Sequence, residues 1–335
     1  MVKVGINGFG RIGRQVLRLA VENDDVKVVA VNDLWDTETF VNLLRRDSNF
    51  GPFPVDVEEC DGGLLVDGEK IEFFSQRDPA DIPWSDVGVQ VVVESTGLFR
   101  DGEQAEKHIT GGGAEKVLIS APATDMDLTV VLGVNDAKYN PDNHSIISNA
   151  SCTTNCLAPL SMVLDENFGI KNGVMNTIHA YTSNQQLLDG PHKDPRRARA
   201  AAVNMIPTTT GAARAVGEVL PHLDGKLDGF AVRVPTTTVS LLDLTVQVEK
   251  QVTIKDINEA MEEEAEGRLS GIMGVCDEPL VSGDFVGSPY SCVVDREFTH
   301  VVGDQMAKVV AWYDNEMGYA ARLVDVISQV IGPEL

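Results

Sequence analysis

Two groups of residues have the types and spacing to do chemistry. Cys152 sits in the run Ser151-Cys152-Thr153-Thr154-Asn155-Cys156, between a strand-like stretch at 145–148 and an apolar stretch of helical character. A thiol at the start of a helix faces the positive end of the helix dipole, which lowers its pKa and favours the nucleophilic thiolate. His179 follows in the strand-like run 174–182, and a neutral imidazole within reach of the thiol would activate it as a Cys–His pair. The same spacing fits an inert buried cysteine and a satisfied strand histidine, so these residues alone leave both readings open. The second group is Gly8-Phe9-Gly10-Arg11-Ile12-Gly13, directly after a strand-like run at 2–6. In this G-x-G-x-x-G pattern Gly8 permits the tight turn, Gly10 lets the backbone approach a pyrophosphate, and Gly13 lets helix and strand pack closely. The helix N-terminus then offers unpaired N–H groups to the anion. Asp33 ends the next strand-like run, where a carboxylate binds a ribose 2′-hydroxyl and repels a 2′-phosphate. NAD is therefore expected over NADP.

The elements that must position these groups are legible as a change of pattern near residue 150. Before it, β-branched runs at 2–6, 26–32, 89–94, 116–120, 130–134 and 145–148 alternate with helix-like stretches at 11–23, 37–44 and 102–110. That alternation predicts βαβ units and a parallel sheet in an α/β fold. After it come a strand over 173–181, a long polar, Arg-rich loop over 185–202, and strands over 229–234 and 239–250 whose alternation is typical of an antiparallel sheet. A helix over 256–269 and a last strand over 306–313 follow. The chain then turns at Asp314 and Asn315 into a helix with Tyr319, Leu323, Val326, Ile327 and Val330 on its apolar face.

Composition narrows the function classes. The 335 residues suffice for about two domains, and 43% hydrophobic content with 6% aromatics excludes wholesale disorder. No apolar run reaches membrane-spanning length and no secretory pattern opens the chain, so a cytoplasmic protein is expected. The 51 acidic residues outweigh 27 basic ones, a net charge of −24 that makes nucleic acid and anionic membranes poor partners. The acid excess is spread along the chain; a saline cytoplasm is the expected setting, because salt screens such a surface against itself, and an acidic mesophilic protein kept soluble by its charge is the alternative. Five cysteines in no metal-ligand spacing predict neither a disulfide framework nor a metal site.

Seven collinear segments, NGFGRIGR at 7–14, SNASCTTNCLAP at 148–159, HAYT at 179–182, RRARAAA at 196–202, PTTTGAA at 207–213, RVPT at 233–236 and WYDNEMGY at 312–319, resemble the phosphorylating glyceraldehyde-3-phosphate dehydrogenases. The resemblance implies a Rossmann-type, doubly wound NAD-binding domain over 1–150 and an α+β catalytic domain with a largely antiparallel sheet over 151–314. It implies a C-terminal helix, 315–335, packed back on the first domain, and a homotetramer in which the loop near 180–203 lines neighbouring cofactor sites. Cys152 would attack the aldehyde of glyceraldehyde 3-phosphate with His179 as base, and inorganic phosphate would cleave the resulting thioester. The resemblance places Gly8, Gly10, Arg11, Ile12, Gly13, Asp33, Arg77, Ser120 and Asn315 at the cofactor. It places Thr182 and Arg233 at the substrate phosphate. Ser151, Thr153, Thr210, Gly211 and one of Arg196, Arg197 and Arg199, here taken as Arg197, fall at the attacking phosphate. Erythrose-4-phosphate dehydrogenase and an NAD-binding interaction protein are the alternative readings. Gly190, where some NAD-preferring bacterial relatives carry Leu, is a departure that weakens one cofactor contact.

Overall fold

The computed structural model describes residues 1–335 and divides them into two compact units. The first comprises Met1–Leu132, Asp136–Ser151 and Ala320–Leu335; the second comprises Gly133–Asn135 and Cys152–Tyr319. In chain order the first unit holds β1 (Val2–Asn7), α1 (Arg11–Ala20), β2 (Val26–Asn32), α2 (Thr37–Arg45), β3 (Val57–Cys60), β4 (Gly63–Val66), β5 (Glu69–Phe74), β6 (Val91–Glu94), α3 (Gly102–Thr110), β7 (Lys116–Ile119), β8 (Leu128–Thr129) and β9 (Ile146–Ser148). They form one nine-stranded sheet in the order β3-β4-β5-β2-β1-β6-β7-β9-β8. The pairs β5–β2, β2–β1, β1–β6, β6–β7, β7–β9 and β9–β8 are parallel. Only the edge β3-β4-β5 is antiparallel.

The central strands are buried on both faces, as a doubly wound sheet requires: Val4, Ile6, Val91, Val92, Val93, Val117, Leu118 and Ile119 are fully inaccessible. The β3–β5 meander leaves no clear run in the sequence, because Glu58 and Glu59 in β3 and Glu69, Lys70 and Glu72 in β5 interrupt the apolar residues and β4 is only four residues long. The strand expected over 130–134 is also displaced. The strand is Leu128–Thr129, and Val130, Val131 and Leu132 are apolar because they are buried in irregular backbone.

The second unit contains α4 (Cys152–Phe168), β10 (Ile170–Ala180), β11 (Ile206–Thr209), α5 (Ala212–Val219), β12 (Leu227–Val234), β13 (Ser240–Val248), α6 (Ile254–Glu266), β14 (Met273–Cys276), β15 (Cys292–Asp295), β16 (His300–Val302) and β17 (Met306–Tyr313). Its sheet runs β11-β12-β10-β13-β17-β15-β14, with β16 paired to β17. Antiparallel pairs dominate, but β10–β12 and β14–β15 are parallel. Along β13 buried and half-buried residues alternate strictly, so one face packs inward.

The last helix, α7 (Met317–Asp325), runs into a π-helical turn at Val326–Ile331. That widened turn shifts the apolar face by one position: Ile331 is fully buried and the expected Val330 is only half-buried. The terminal segment packs in the first unit, where Gly332 lies so close to Val2 that a Cβ would come within 2.7 Å of it.

Candidate active site

In the first unit the glycine loop between β1 and α1 lies at the carboxyl edge of the parallel strands. Gly8 adopts φ +90°, and a Cβ there would stand 2.6 Å from the Thr96 nitrogen. A Cβ on Gly13 would meet the Gly8 carbonyl at 2.4 Å, whereas one on Gly10 would meet nothing within 4 Å. The turn, the close packing and the open approach therefore fall on the three glycines in the expected order. Gly10 caps α1 without any side-chain hydrogen bond, and a helix N-terminus of this kind suits an anion.

The adjoining cleft, about 360 Å³, is lined by residues that include Gly8, Gly10, Asp33, Trp35, Arg77 and Thr96. The Asp33 carboxylate is aimed by three backbone donors, Phe9 N at 2.8 Å, Leu34 N at 2.7 Å and Trp35 N at 3.2 Å. This donor set fits a dinucleotide: helix N–H groups for the pyrophosphate and a fixed carboxylate for a ribose diol. The Arg11 guanidinium is turned onto Asp47, its Nη2 3.1 Å from Oδ1. Ile12 is half-buried beside it, and Ser120 donates its N–H to the Glu94 carbonyl at 2.9 Å.

Beneath the cleft runs a polar network that sequence patterns did not reveal. Trp84 donates to His108 Nδ1 at 3.0 Å, so the His108 proton sits on Nε2 and meets Glu94 at 3.0 Å. The Glu94 carboxylate also accepts from Asn7 Nδ2 at 2.6 Å and Thr96 N at 2.9 Å, and Asn32 donates to Asn7 Oδ1 at 2.8 Å. Glu94 is 1% exposed. A buried carboxylate persists only with such donors, and here they stitch β6, β1 and β2 together at the cleft. The one signal available was an acid ending an otherwise apolar strand.

In the second unit Cys152 opens α4, preceded by Ala150 in the left-handed region at φ +53°. Its Sγ lies 3.5 Å from His179 Nε2. His179, next to the last residue of β10, is 3% exposed and sets its ring edge-on to Tyr313 at 6.0 Å. The Tyr313 hydroxyl is shared with Thr153 Oγ1 at 2.9 Å and Thr177 Oγ1 at 2.8 Å, which ties α4, β10 and β17 together around the pair. The expectation of a lowered thiol pKa at the helix start is corrected here. Burial pushes the Cys152 thiol up, against the downward pull of Arg233 and of hydrogen bonds from Thr153. Burial and the Arg233 cation press His179 down to about 3.

Two guanidinium groups flank the pair. Arg233, on β12, places Nη1 2.8 Å from His179 Nδ1 and 3.0 Å from the Ala180 carbonyl. Arg197 is locked by Nε to Thr208 Oγ1 at 2.8 Å and by Nη2 to the Thr209 carbonyl at 3.1 Å, and its charge reaches His179 and Arg233. Arg196 is exposed, and Arg199 pairs with Asp189 on the surface. Next along the chain from Thr209 stand Thr210, whose hydroxyl accepts from Ala212 N at 3.2 Å, and Gly211, exposed at the start of α5. Ser151 and Thr182 are half-buried, whereas the Thr153 hydroxyl is spent on Tyr313 and leaves only backbone for an anion. Asn315 is 5% exposed, its Oδ1 held by Ser240 Oγ at 2.8 Å, and that hydroxyl also accepts from Ala180 N at 3.1 Å.

Known proteins agree with this constellation. The family model described as "Glyceraldehyde 3-phosphate dehydrogenase, NAD binding domain" matches residues 2–102, and the one described as "Glyceraldehyde 3-phosphate dehydrogenase, C-terminal domain" matches 151–315. The chain is 56% identical over 326 residues to a glyceraldehyde-3-phosphate dehydrogenase 1 of Bacillus cereus, covering 97% of each. It is 54% identical over 329 residues to a glyceraldehyde-3-phosphate dehydrogenase of Priestia megaterium, and 55% identical over 336 residues to one of Mycobacterium avium, covering 98% of each chain in both cases. The chain therefore belongs to the glyceraldehyde-3-phosphate dehydrogenase family, with NAD as its cofactor.

Proposed function

We propose that the protein oxidises glyceraldehyde 3-phosphate to 1,3-bisphosphoglycerate with NAD and inorganic phosphate. The observation that carries this reading is the Cys152–His179 pair at 3.5 Å with two guanidinium groups around it. His179 Nε2 takes the thiol proton as Cys152 attacks the aldehyde carbon, forming a thiohemiacetal. The oxyanion is met by the Cys152 backbone N–H and by the imidazolium. NAD, held in the cleft of Gly8, Gly10 and Asp33, would supply the hydride acceptor. The carbon remains on Cys152 as a thioester, which conserves the oxidation energy until inorganic phosphate attacks it and the thiolate leaves.

Arg233 and Thr182 serve the substrate phosphate; Arg197, Ser151, Thr210, Gly211 and the Thr153 backbone serve the attacking phosphate, for which a guanidinium fork suits the geometry. Gly8, Gly10, Gly13, Asp33, Arg77 and Ser120, with the backbone of Arg11 and Ile12, hold the dinucleotide, and Asn315 orients the nicotinamide carboxamide. Residues 1–150 act as the NAD-binding domain, 151–314 as the catalytic domain, and 315–335 as the returning C-terminal helix.

We further propose a homotetramer in a saline cytoplasm. Val174, Leu187, Leu188, Val203, Met205 and Phe230 are each at least half exposed in the second unit, and apolar surface of that kind favours association. No helix is long and apolar enough to cross a membrane. The saline setting rests on the net charge of −24. NADH formation from glyceraldehyde 3-phosphate at molar KCl, with and without inorganic phosphate, tests the reaction. Phosphate-dependent turnover that vanishes in Cys152→Ala is expected; a folded, NAD-binding protein without turnover would sink the reading.

A further inference from the structure

Four residues other than glycine hold a positive φ, and one of them is β-branched: Val239, at φ +66°. A side chain branched at Cβ is strained in the left-handed region, so its surroundings must hold it there. Val239 is 2% exposed and packs with Phe285 and Val293. Its two neighbours supply the rest of the hold. Thr238 Oγ1 donates to Asp314 Oδ1 at 2.8 Å, and Ser240 Oγ donates to Asn315 Oδ1 at 2.8 Å. The strained residue thus stands between two hydroxyls that grip two consecutive residues. Asp314 is fixed again by Gly287 N at 2.9 Å on Oδ2, and by Glu316 N at 2.9 Å and Met317 N at 3.0 Å on Oδ1. Asp314 therefore sets the backbone of this turn, and what remains to be set at Asn315 is its amide.

Proton counting assigns that task to Ser240. Its hydroxyl, in a side chain 1% exposed, owns one proton and accepts the Ala180 N–H at 3.1 Å. With Asn315 Oδ1 toward it, the proton goes to Asn315 and every partner is used. With the amide turned over, Ser240 would accept from both sides and its own proton would be stranded in the interior. Oδ1 therefore stays on Ser240. Nδ2, which has no partner in the chain and is not sealed from solvent, is left for a ligand. Ala180 carries the link further, since its carbonyl lies 2.7 Å from His179 Nδ1. One residue thus joins the hydroxyl that sets Asn315 to the ring that serves Cys152.

We propose that Ser240 is a positioning residue that fixes the polarity of Asn315, so that this amide meets the nicotinamide carboxamide as a donor only. The inference rests on the reading of Asn315 as the residue that orients that carboxamide. A carboxamide presents a carbonyl on one side and an NH2 on the other. An asparagine free to turn over would satisfy either side, and the pyridine ring could then settle in two orientations. Held by Ser240, Asn315 offers Nδ2 alone, which selects the carbonyl and hence one orientation. Because Ser240 is also bonded to Ala180 N, that choice is made in register with His179. The strain at Val239 sits where it keeps this hydroxyl aimed.

The test measures binding, with no aldehyde present. Isothermal titration at fixed KCl compares NAD with two analogues. Thionicotinamide adenine dinucleotide has a C=S that accepts poorly, and 3-acetylpyridine adenine dinucleotide keeps the carbonyl but lacks the NH2. Wild type is expected to bind the thio analogue about five- to tenfold more weakly than NAD, the worth of one neutral hydrogen bond, and the acetyl analogue as well as NAD. In Ser240→Ala the penalty on the thio analogue is expected to shrink to about twofold, because Asn315 turns its Oδ1 to the analogue's NH2. The larger sulfur burdens both proteins alike, so the difference between them isolates the polarity. Ser240→Cys, which keeps the volume but donates weakly, is expected to behave like the alanine variant, and Ser240→Thr like wild type. Melting curves establish which variants fold, and should the alanine variant fail, the cysteine variant is scored by the same ratio. A merely structural role would weaken all three dinucleotides together. That outcome in a folded variant, with the wild-type ratio kept, overturns the inference. A wild type that binds the thio analogue as well as NAD would instead remove the reading of Asn315 itself.

Discussion

His179 shows how one buried side chain ties activity to acid stability. Its ring is held by Tyr313 and by the Ala180 carbonyl, and Nε2 is the atom within reach of Sγ. Replacing it by Asn removes the general base while leaving the thiol in place, and a kcat lower by about 10²–10⁴ is expected. The same residue predicts a pH dependence of folding. In the folded chain its pKa is lowered from 6.5 to about 3, so between those values the unfolded chain binds a proton that the native chain does not. Stability contributed by the neutral ring is complete above pH 6.5 and is lost as pH falls toward 3. Urea midpoints for wild type and His179→Asn are expected to converge as pH falls from 7 to 4. A constant gap between them would show that His179 takes no part in the acid lability.

The glycine loop tests whether a conserved-looking pattern acts through packing or through the ligand, because its members differ in what surrounds them. Gly10 has φ −72°, open to any residue, and a Cβ there would project free of contacts beside the cleft. Gly13 would drive a Cβ to 2.4 Å from the Gly8 carbonyl. Gly10→Ala is therefore expected to keep the melting temperature within a degree or two and to raise the KM for NAD about tenfold or more by holding the pyrophosphate away. Gly13→Ala is expected to cost about 1–3 kcal/mol of stability through the displaced turn. Equal melting losses in the two variants would contradict this division. This loop was legible because strand, glycine spacing and Asp33 are consecutive local signals. The Cys152–His179 pair was legible only as two candidates, since contact between α4 and β10 is tertiary. The β3–β5 meander, the Glu94 network and the π-helical turn left no comparable trace. The meander's charged residues broke the apolar runs, the network joins residues far apart in sequence, and a single inserted helical residue changes phase without changing composition.

Across the whole molecule, scarce basic residues are shared among many acids. Arg268 serves both Glu166 at 2.7 Å and Glu264 at 3.2 Å, and Arg296 serves Glu262 at 3.4 Å and Asp277 at 3.2 Å. Lys107, Lys70 and Arg199 are likewise engaged on the surface. Such exposed pairs contribute little each, and 51 acids cannot be matched by 27 cations. The acids at Asp24, Asp25, Glu58, Glu59, Asp61, Glu263 and Glu266 are all exposed, so the excess lies where screening acts. At 0.1 M salt their repulsion reaches about 10 Å, and at 1 M about 3 Å. The folded chain concentrates this charge more than the unfolded one, and an oligomer concentrates it further. Thermal unfolding followed by ellipticity at 0.1 and 2 M KCl, with light scattering on the same samples, separates the two levels. A midpoint higher by about 5 °C or more at 2 M, on the order of 1–2 kcal/mol for domains of this size, is expected. Dissociation at 0.1 M before loss of ellipticity would place the repulsion between subunits. An intact assembly with a salt-independent midpoint would mean that the acid excess serves solubility alone, and the saline setting would fall with it.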